Sequence, residues 1–337
     1  MIHRLARAAI VGLSALTCTA QASEEVNVYS YRQPFLVEPI FTAFTNDTGI
    51  EVNVVFAKKG LIERLRLEDR NSPADLMLTT DIGRLNDLVE NDLVQVVTSD
   101  SLEANIPAAY RDPGNRWFGL TVRARIAAVS KERVADGALK RYEDLADPRW
   151  QGRLCSRSGK HVYNVALVSS LIAADGEEAA RAWLDGVKAN LARKPQGNDR
   201  GQIKAISEGA CDVALINNYY MGNMLADPEQ AAWAESVNIV FPNQDDRGTH
   251  VNLSGMALTK HAPNRENAIR LMEFLSDDQA QAIYAEVNYE YPVKPGVPWS
   301  PLLQSWGTFK TDPMPLSEIA ALRVAAIKLA DETGFDD

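Results

Sequence analysis

Cysteine is scarce in this chain: 337 residues hold three, too few for a disulfide framework, and none forms a CxxC pair. Histidine is nearly as rare. Its four residues show no His-x-x-x-His spacing that would propose a zinc site, and His161, His250 and His261 show no catalytic-triad pattern. Positive charge is in deficit, with 35 Lys and Arg against 45 Asp and Glu. A net charge of −10 excludes a nucleic-acid binder held by a basic face. No apolar run reaches the roughly 18 residues that a membrane-spanning helix needs. Gly119 and Gly255 sit in strand-like contexts and belong to no GxGxxG or P-loop pattern. Apolar material, by contrast, is plentiful at 46% of residues, which excludes disorder and allows two buried cores. At about 150 residues per domain, the length predicts two domains.

The first 22 residues form a separate unit. Arg4 and Arg7 precede an apolar stretch, Ala8 to Leu16, and Ala20-Gln21-Ala22 supplies a small-x-small cleavage site ahead of Ser23-Glu24-Glu25. That order is a secretory signal peptide, too short in its apolar part to span a bilayer. Cys18 follows Ala15-Leu16-Thr17, a poor match to a lipid-attachment site. Export puts Cys155 and Cys211 in an oxidising compartment, where pairing is favoured. Each lies eight residues before a tyrosine, Tyr163 and Tyr219, at the head of a similar strand pattern. A disulfide follows if those strands are neighbours; two separate buried thiols are the alternative.

The remainder alternates strands with helices. Val26–Tyr31 alternates, and Pro34 then opens a helix through Phe35, Leu36, Ile40, Phe41 and Phe44, closed at Thr48-Gly49. Ile50–Phe56 and Ala74–Leu78 read as strands, with Thr79-Thr80-Asp81 leading into a helix through Leu85 and Leu88. Trp117–Ile126 is a long extended stretch that reads as a crossing between domains. A second unit follows: strand Arg153–Ser156, helix Gly159–Ala174, helix Ala179–Leu191, a short strand Lys194–Gln196, helix Arg200–Ser207 and strand Asp212–Ile216. Val251–Leu258 returns the chain to the first domain, and helices Arg265–Leu275 and from Leu316 onward close the fold. The alternation predicts an α/β protein with a parallel sheet covered on both faces.

In open parallel sheets, ligands bind where strands hand over to helices. The handovers here carry Tyr31-Arg32-Gln33, Thr79-Thr80-Asp81, Ser158–Tyr163 and Asn217-Asn218-Tyr219-Tyr220. Asn218 is a good helix N-cap, which puts Tyr219 and Tyr220 in one first turn, and Tyr163 lies early in its own helix. A lone tyrosine beside a strand is usually packing. Three phenols at matched handovers instead suit a hard trivalent cation, above all Fe(III), whose charge drives their deprotonation. Three phenolates leave an octahedral ion short of ligands. Arg32, and Arg123 on the crossing strand, are planar forks suited to a small oxyanion such as carbonate. An ordinary salt bridge is the plainer reading of Arg123 and of Arg125.

With these residues the chain resembles the periplasmic ferric-ion-binding proteins, the substrate-binding components of iron-uptake ABC importers. The likeness runs over nearly all of the chain after the leader. It rests on Val28–Gln33, Asn71–Asp75, Pro195–Asp199, Asn218–Gly222, Gly248–Gly255 and Asn288–Val293. The resemblance implies a two-lobed α/β type II periplasmic-binding-protein fold, hinged by extended strands near 119–124 and 250–257. Residues 23–119 with about 250–300 would form the first lobe and 120–249 the second, with the 301–337 helices packing across both. It further implies Fe(III) on Tyr163, Tyr219 and Tyr220, an anion, carbonate or bicarbonate, on Arg123, and a monomer that delivers iron to a membrane permease from the periplasm without catalysis. Two departures stand out. Many members follow the first arginine with His-Tyr, where this chain has Gln33-Pro34, and some carry an arginine after the tyrosine pair, where it has Asn223. Tyr31 is then the remaining first-lobe metal candidate, and Arg32 and Gln33 are expected over the metal or its anion. A trap for a polyamine or another small organic solute is the competing reading. It needs cleft acids, of which the handovers offer only Asp81. An exported enzyme would need an open metal position beside a general base, and no histidine or carboxylate at these junctions is a credible one.

Overall fold

The computed structural model describes residues 24–337, so the signal peptide expected at 1–22 lies outside the described residues. Nine strands make up its sheet: β1 Glu25–Ser30, β2 Glu51–Phe56, β3 Leu76–Thr79, β4 Phe118–Ser130, β5 Leu154–Cys155, β6 Val213–Asn217, β7 Val237–Val240, β8 Val251–Leu258 and β9 Tyr291–Pro292. Their order is β2-β1-β3-β8-β4-β6-β5, with β7 and β9 also paired to β4. The all-parallel expectation is corrected. Only β1/β2, β1/β3 and β5/β6 run parallel, while β8 and every partner of β4 are antiparallel. The reason is β4, which pairs with β8 and β9 in its first half and with β6 and β7 in its second.

All thirteen residues of β4 are buried, as a strand covered on both faces requires. Its even positions from Phe118 to Ala128 join one apolar cluster, with Val28, Ile40 and Phe44, whereas Ala127 and Val129 join a second with Trp150, Leu171 and Leu184. The period-two rule thus lets one strand divide its faces between cores. The helix Pro34–Thr48 buries Val37, Ile40, Phe41 and Phe44 and ends on Gly49 at φ 75°, where the missing Cβ permits the left-handed cap. Phe35, expected inward, is 53% exposed.

Lys194–Gln196 is not a strand. Pro195 has no N–H for a ladder, and β5 is met instead by Leu191 and Ala192, with the Gln196 N–H donating to the Ser156 carbonyl. Cys155, the last residue of β5, and Cys211, just before the neighbouring β6, are disulfide-bonded, with Cα atoms 5.8 Å apart. The helix Leu316–Ala321 packs on both Ile82–Glu90 and Val162–Asp175, and the following helix, Arg323–Glu332, packs on Val162–Asp175. Arg323 pairs with Asp87 at 2.7 Å, and Asp336 accepts from the Ser158 hydroxyl at 2.6 Å and the Gly159 N–H at 2.8 Å.

Candidate metal centre

Three tyrosines leave the carboxyl ends of β5 and β6. Tyr163 is the second residue of Val162–Asp175, after a loop of six residues from β5, and the His161 Nδ1 accepts from its N–H at 3.3 Å. Burial, reinforced by Arg157, Arg125 and Arg84, pushes the His161 imidazole down to about 3, so it stays neutral and an acceptor. Tyr219 and Tyr220 open the helix Tyr219–Leu225 directly after β6. The Tyr163 and Tyr219 hydroxyls lie 3.2 Å apart, and the Tyr219 and Tyr220 rings stack with centroids 4.3 Å apart. All three residues are half-buried. Loss of water around its hydroxyl raises Tyr219 well above the ordinary phenol range, as do its neighbours Tyr163 and Tyr220, against the pull of Arg123. Burial raises Tyr220 as well. Tyr219 and Tyr220 are therefore protonated at neutral pH unless a cation takes the protons' place.

Asn218 does not cap this helix. Its backbone is already helical, and its side chain accepts from the Ala124 N–H at 2.9 Å and donates to the Tyr289 carbonyl at 3.0 Å. The β6–helix corner that presents Tyr219 and Tyr220 is held to β4 through that amide.

Arginines surround the Tyr163 ring: Arg157, Arg123 and Arg125 stand 5.2, 5.6 and 6.0 Å from its centroid. Arg125 and Arg157 share Asp199, at 2.8 and 2.7 Å. Burial would raise Asp199, yet these two guanidiniums and the Asn217 N–H hold it below the usual carboxylate range. One carboxylate for two guanidiniums, with Arg123 beside them, leaves positive charge behind the phenols. Arg123 is buried on β4 and donates to the Thr80 carbonyl, while its Nε is buried without a partner among the described residues. Arg125 takes the plainer role of an internal ion pair. Asp199 and Arg157 escaped the sequence reading because partners 42 and 74 residues away leave no local pattern. The one local signal is Asn198, which caps the helix Asp199–Ser207 and turns Asp199 inward.

The other first-lobe candidates stand differently. The Tyr31 hydroxyl accepts from the Ile62 N–H at 3.1 Å beneath the Arg84 guanidinium, so it is not part of the phenol group. Arg32 is buried and forked onto Glu290 at 3.0 and 3.1 Å through its two terminal nitrogens, while its Nε is buried without a partner among the described residues. Gln33 is exposed at the start of its helix. Among the described residues, no group of three or more His, Cys, Asp or Glu is placed to hold a metal.

A family profile described as bacterial extracellular solute-binding protein matches residues 71–306. "Iron uptake protein A1" of Synechocystis sp. is 46% identical over 320 residues, covering 94% of this chain and 89% of that protein. The apo ferric ion-binding protein A of Pasteurella haemolytica superposes with a TM-score of 0.90 at 52% identity, covering 93% of this chain and 99% of its own. A Trichodesmium protein in complex with iron and citrate superposes with a TM-score of 0.88 at 42% identity, covering 92% and 99%.

Proposed function

We propose, since the chain belongs to the bacterial extracellular solute-binding protein family, that it captures Fe(III) outside the cytoplasm for uptake. Its architecture is the two-lobed α/β type II periplasmic-binding-protein fold. Tyr163, Tyr219 and Tyr220 are the proposed metal ligands, with Arg123 receiving a carbonate or bicarbonate that completes the shell. The observation that carries this reading is the pair of Tyr163 and Tyr219 hydroxyls 3.2 Å apart, with the Tyr220 ring stacked on Tyr219 and the Arg123 guanidinium beside the Tyr163 ring. Phenolate oxygens suit a hard trivalent ion, and the nearby guanidiniums favour both the phenolates and an oxyanion. In this reading the chain works as a monomer in the periplasm, catalyses nothing, and hands its iron to a membrane permease. A polyamine trap would need free acids, but Asp199 and Glu290 are paired with arginines and Asp81 caps a helix and accepts from Asn252.

Purified protein loaded with Fe(III) is expected to be coloured by phenolate-to-iron charge transfer. Replacing Tyr219→Phe and Tyr220→Phe together removes the colour and weakens iron binding by about a thousandfold in chelator competition. Full colour and affinity in that double variant would reject the assignment.

A further inference from the structure

Tyr289 is a bulky residue in a backbone conformation that glycine favours, with φ 54°. Such strain persists only where surrounding contacts over-determine it. The contacts are specific. The Tyr289 ring lies where Gly222 lacks a side chain, since a Cβ on Gly222 would stand 2.2 Å from the ring's Cγ. Gly222 is the fourth residue of the seven-residue helix that Tyr219 and Tyr220 open. The Tyr289 carbonyl accepts from Asn218, the residue immediately before the tyrosine pair, whose other amide atom is held by the β4 backbone at Ala124.

The residues on either side of Tyr289 face the opposite part of the molecule. Asn288 donates to the Leu36 carbonyl, in the helix after β1. Glu290 grips Arg32 and accepts from the Thr121 hydroxyl. Three consecutive residues therefore tie the β1 side of the molecule to the turn that presents two of the three phenols. Packing alone does not require the strain: asparagine or glycine at 289 would adopt this backbone more easily. The ring is what the strained backbone delivers, and Gly222 is the notch that receives it.

We propose that Tyr289 and Gly222 are positioning residues of the metal centre. The ring seated in the glycine notch fixes the first turn of Tyr219–Leu225 and so sets where the Tyr219 and Tyr220 oxygens stand relative to Tyr163. This rests on the Fe(III) reading above. Neither residue touches the ion.

The test uses full-length mature protein carrying Tyr289→Gly, Gly222→Ala or both. Each is measured for apo melting temperature, for the position of the charge-transfer band and for the rate at which a chelator removes iron. Glycine at 289 accepts the backbone, so its apo form melts close to wild type while iron leaves about tenfold faster and the band shifts. Gly222→Ala alone accelerates iron loss at least as much, because its methyl meets the ring. In the double variant the methyl fills the vacated space, and part of the loss is recovered. Singles with wild-type band and iron release overturn the proposal. So does iron loss that merely follows a lowered melting temperature with no recovery in the double. A wild type that takes up no Fe(III) overturns both this proposal and the function beneath it, whereas a loaded wild type with unaltered variants overturns the notch alone.

Discussion

Glu290 shows how far a single side chain reaches here. It is 3% exposed and accepts from both terminal nitrogens of Arg32, itself 1% exposed, as well as from Thr121. Burial by itself would raise its carboxyl. Arg32, Arg123 and the hydrogen bonds outweigh that and hold it below the ordinary value. A folded value lower than the unfolded one means that the ionised pair contributes in full above the unfolded carboxylate range. The contribution fades as pH falls through the folded value. Wild type should therefore lose urea resistance progressively below about pH 4.5. Glu290→Gln leaves a buried guanidinium uncompensated and should cost about 3–5 kcal/mol at pH 7, with a shallower decline in acid. Equal urea midpoints for the two proteins at pH 7 would contradict the argument. The pair was invisible in the sequence because 258 residues separate its members. Arg32 alone looked like an anion ligand; only its buried partner reveals that both terminal nitrogens are taken.

At the level of elements, local chemistry predicted well wherever the decisive contact is local. Alternation marked β1, Gly49 marked a helix end, and the strand-to-helix corners placed Tyr163, Tyr219 and Tyr220 at helix starts. It misled wherever a distant partner decides. Asn218 has a good cap's chemistry, but β4 and Tyr289 claim its amide. The sheet is mixed because β4 runs on past one set of partners into another, a fact of pairing that no single segment carries. β5 shows the same dependence energetically. It has two residues, too few to hold themselves, and the disulfide beside it closes a separation of 56 residues to Cys211. Replacing both cysteines with serine should cost about 2–4 kcal/mol in denaturant unfolding. Hydrogen exchange should rise first around 153–156, ahead of β6, which stays paired to β4. Exchange that rises uniformly would mean that the bridge stabilises the chain without specifically holding β5.

Across the whole molecule, the proposed donors share one side of the chain's architecture. Tyr163 follows β5 and Tyr219 and Tyr220 follow β6, two strands that are direct neighbours, whereas Thr80 and Arg84 approach from the β3 side. The two sides are joined by β4 and β8, which pair from Phe118↔Met256 to Ala124↔Val251 with an irregularity between Gly119 and Thr121. Gly119 faces Gly255 at that point. A Cβ on Gly255 would lie 2.8 Å from the Phe118 carbonyl, so β8 approaches β4 as a glycine permits, and one on Gly119 would lie 2.6 Å from the carbonyl of Tyr110, in the turn before β4. If the lobes turn about these strands, the proposed site does not need that motion to form, because all three tyrosines follow the neighbouring β5 and β6. Closure would instead bring the Thr80 side over a metal that is already bound and slow its escape. Two separable events follow. After rapid mixing with a labile ferric chelate, the charge-transfer colour should develop before the radius of gyration falls in time-resolved small-angle scattering. Colour that develops only in step with contraction would mean that an essential donor arrives from the other lobe, and the three-phenol site would have to be redrawn with that donor in it.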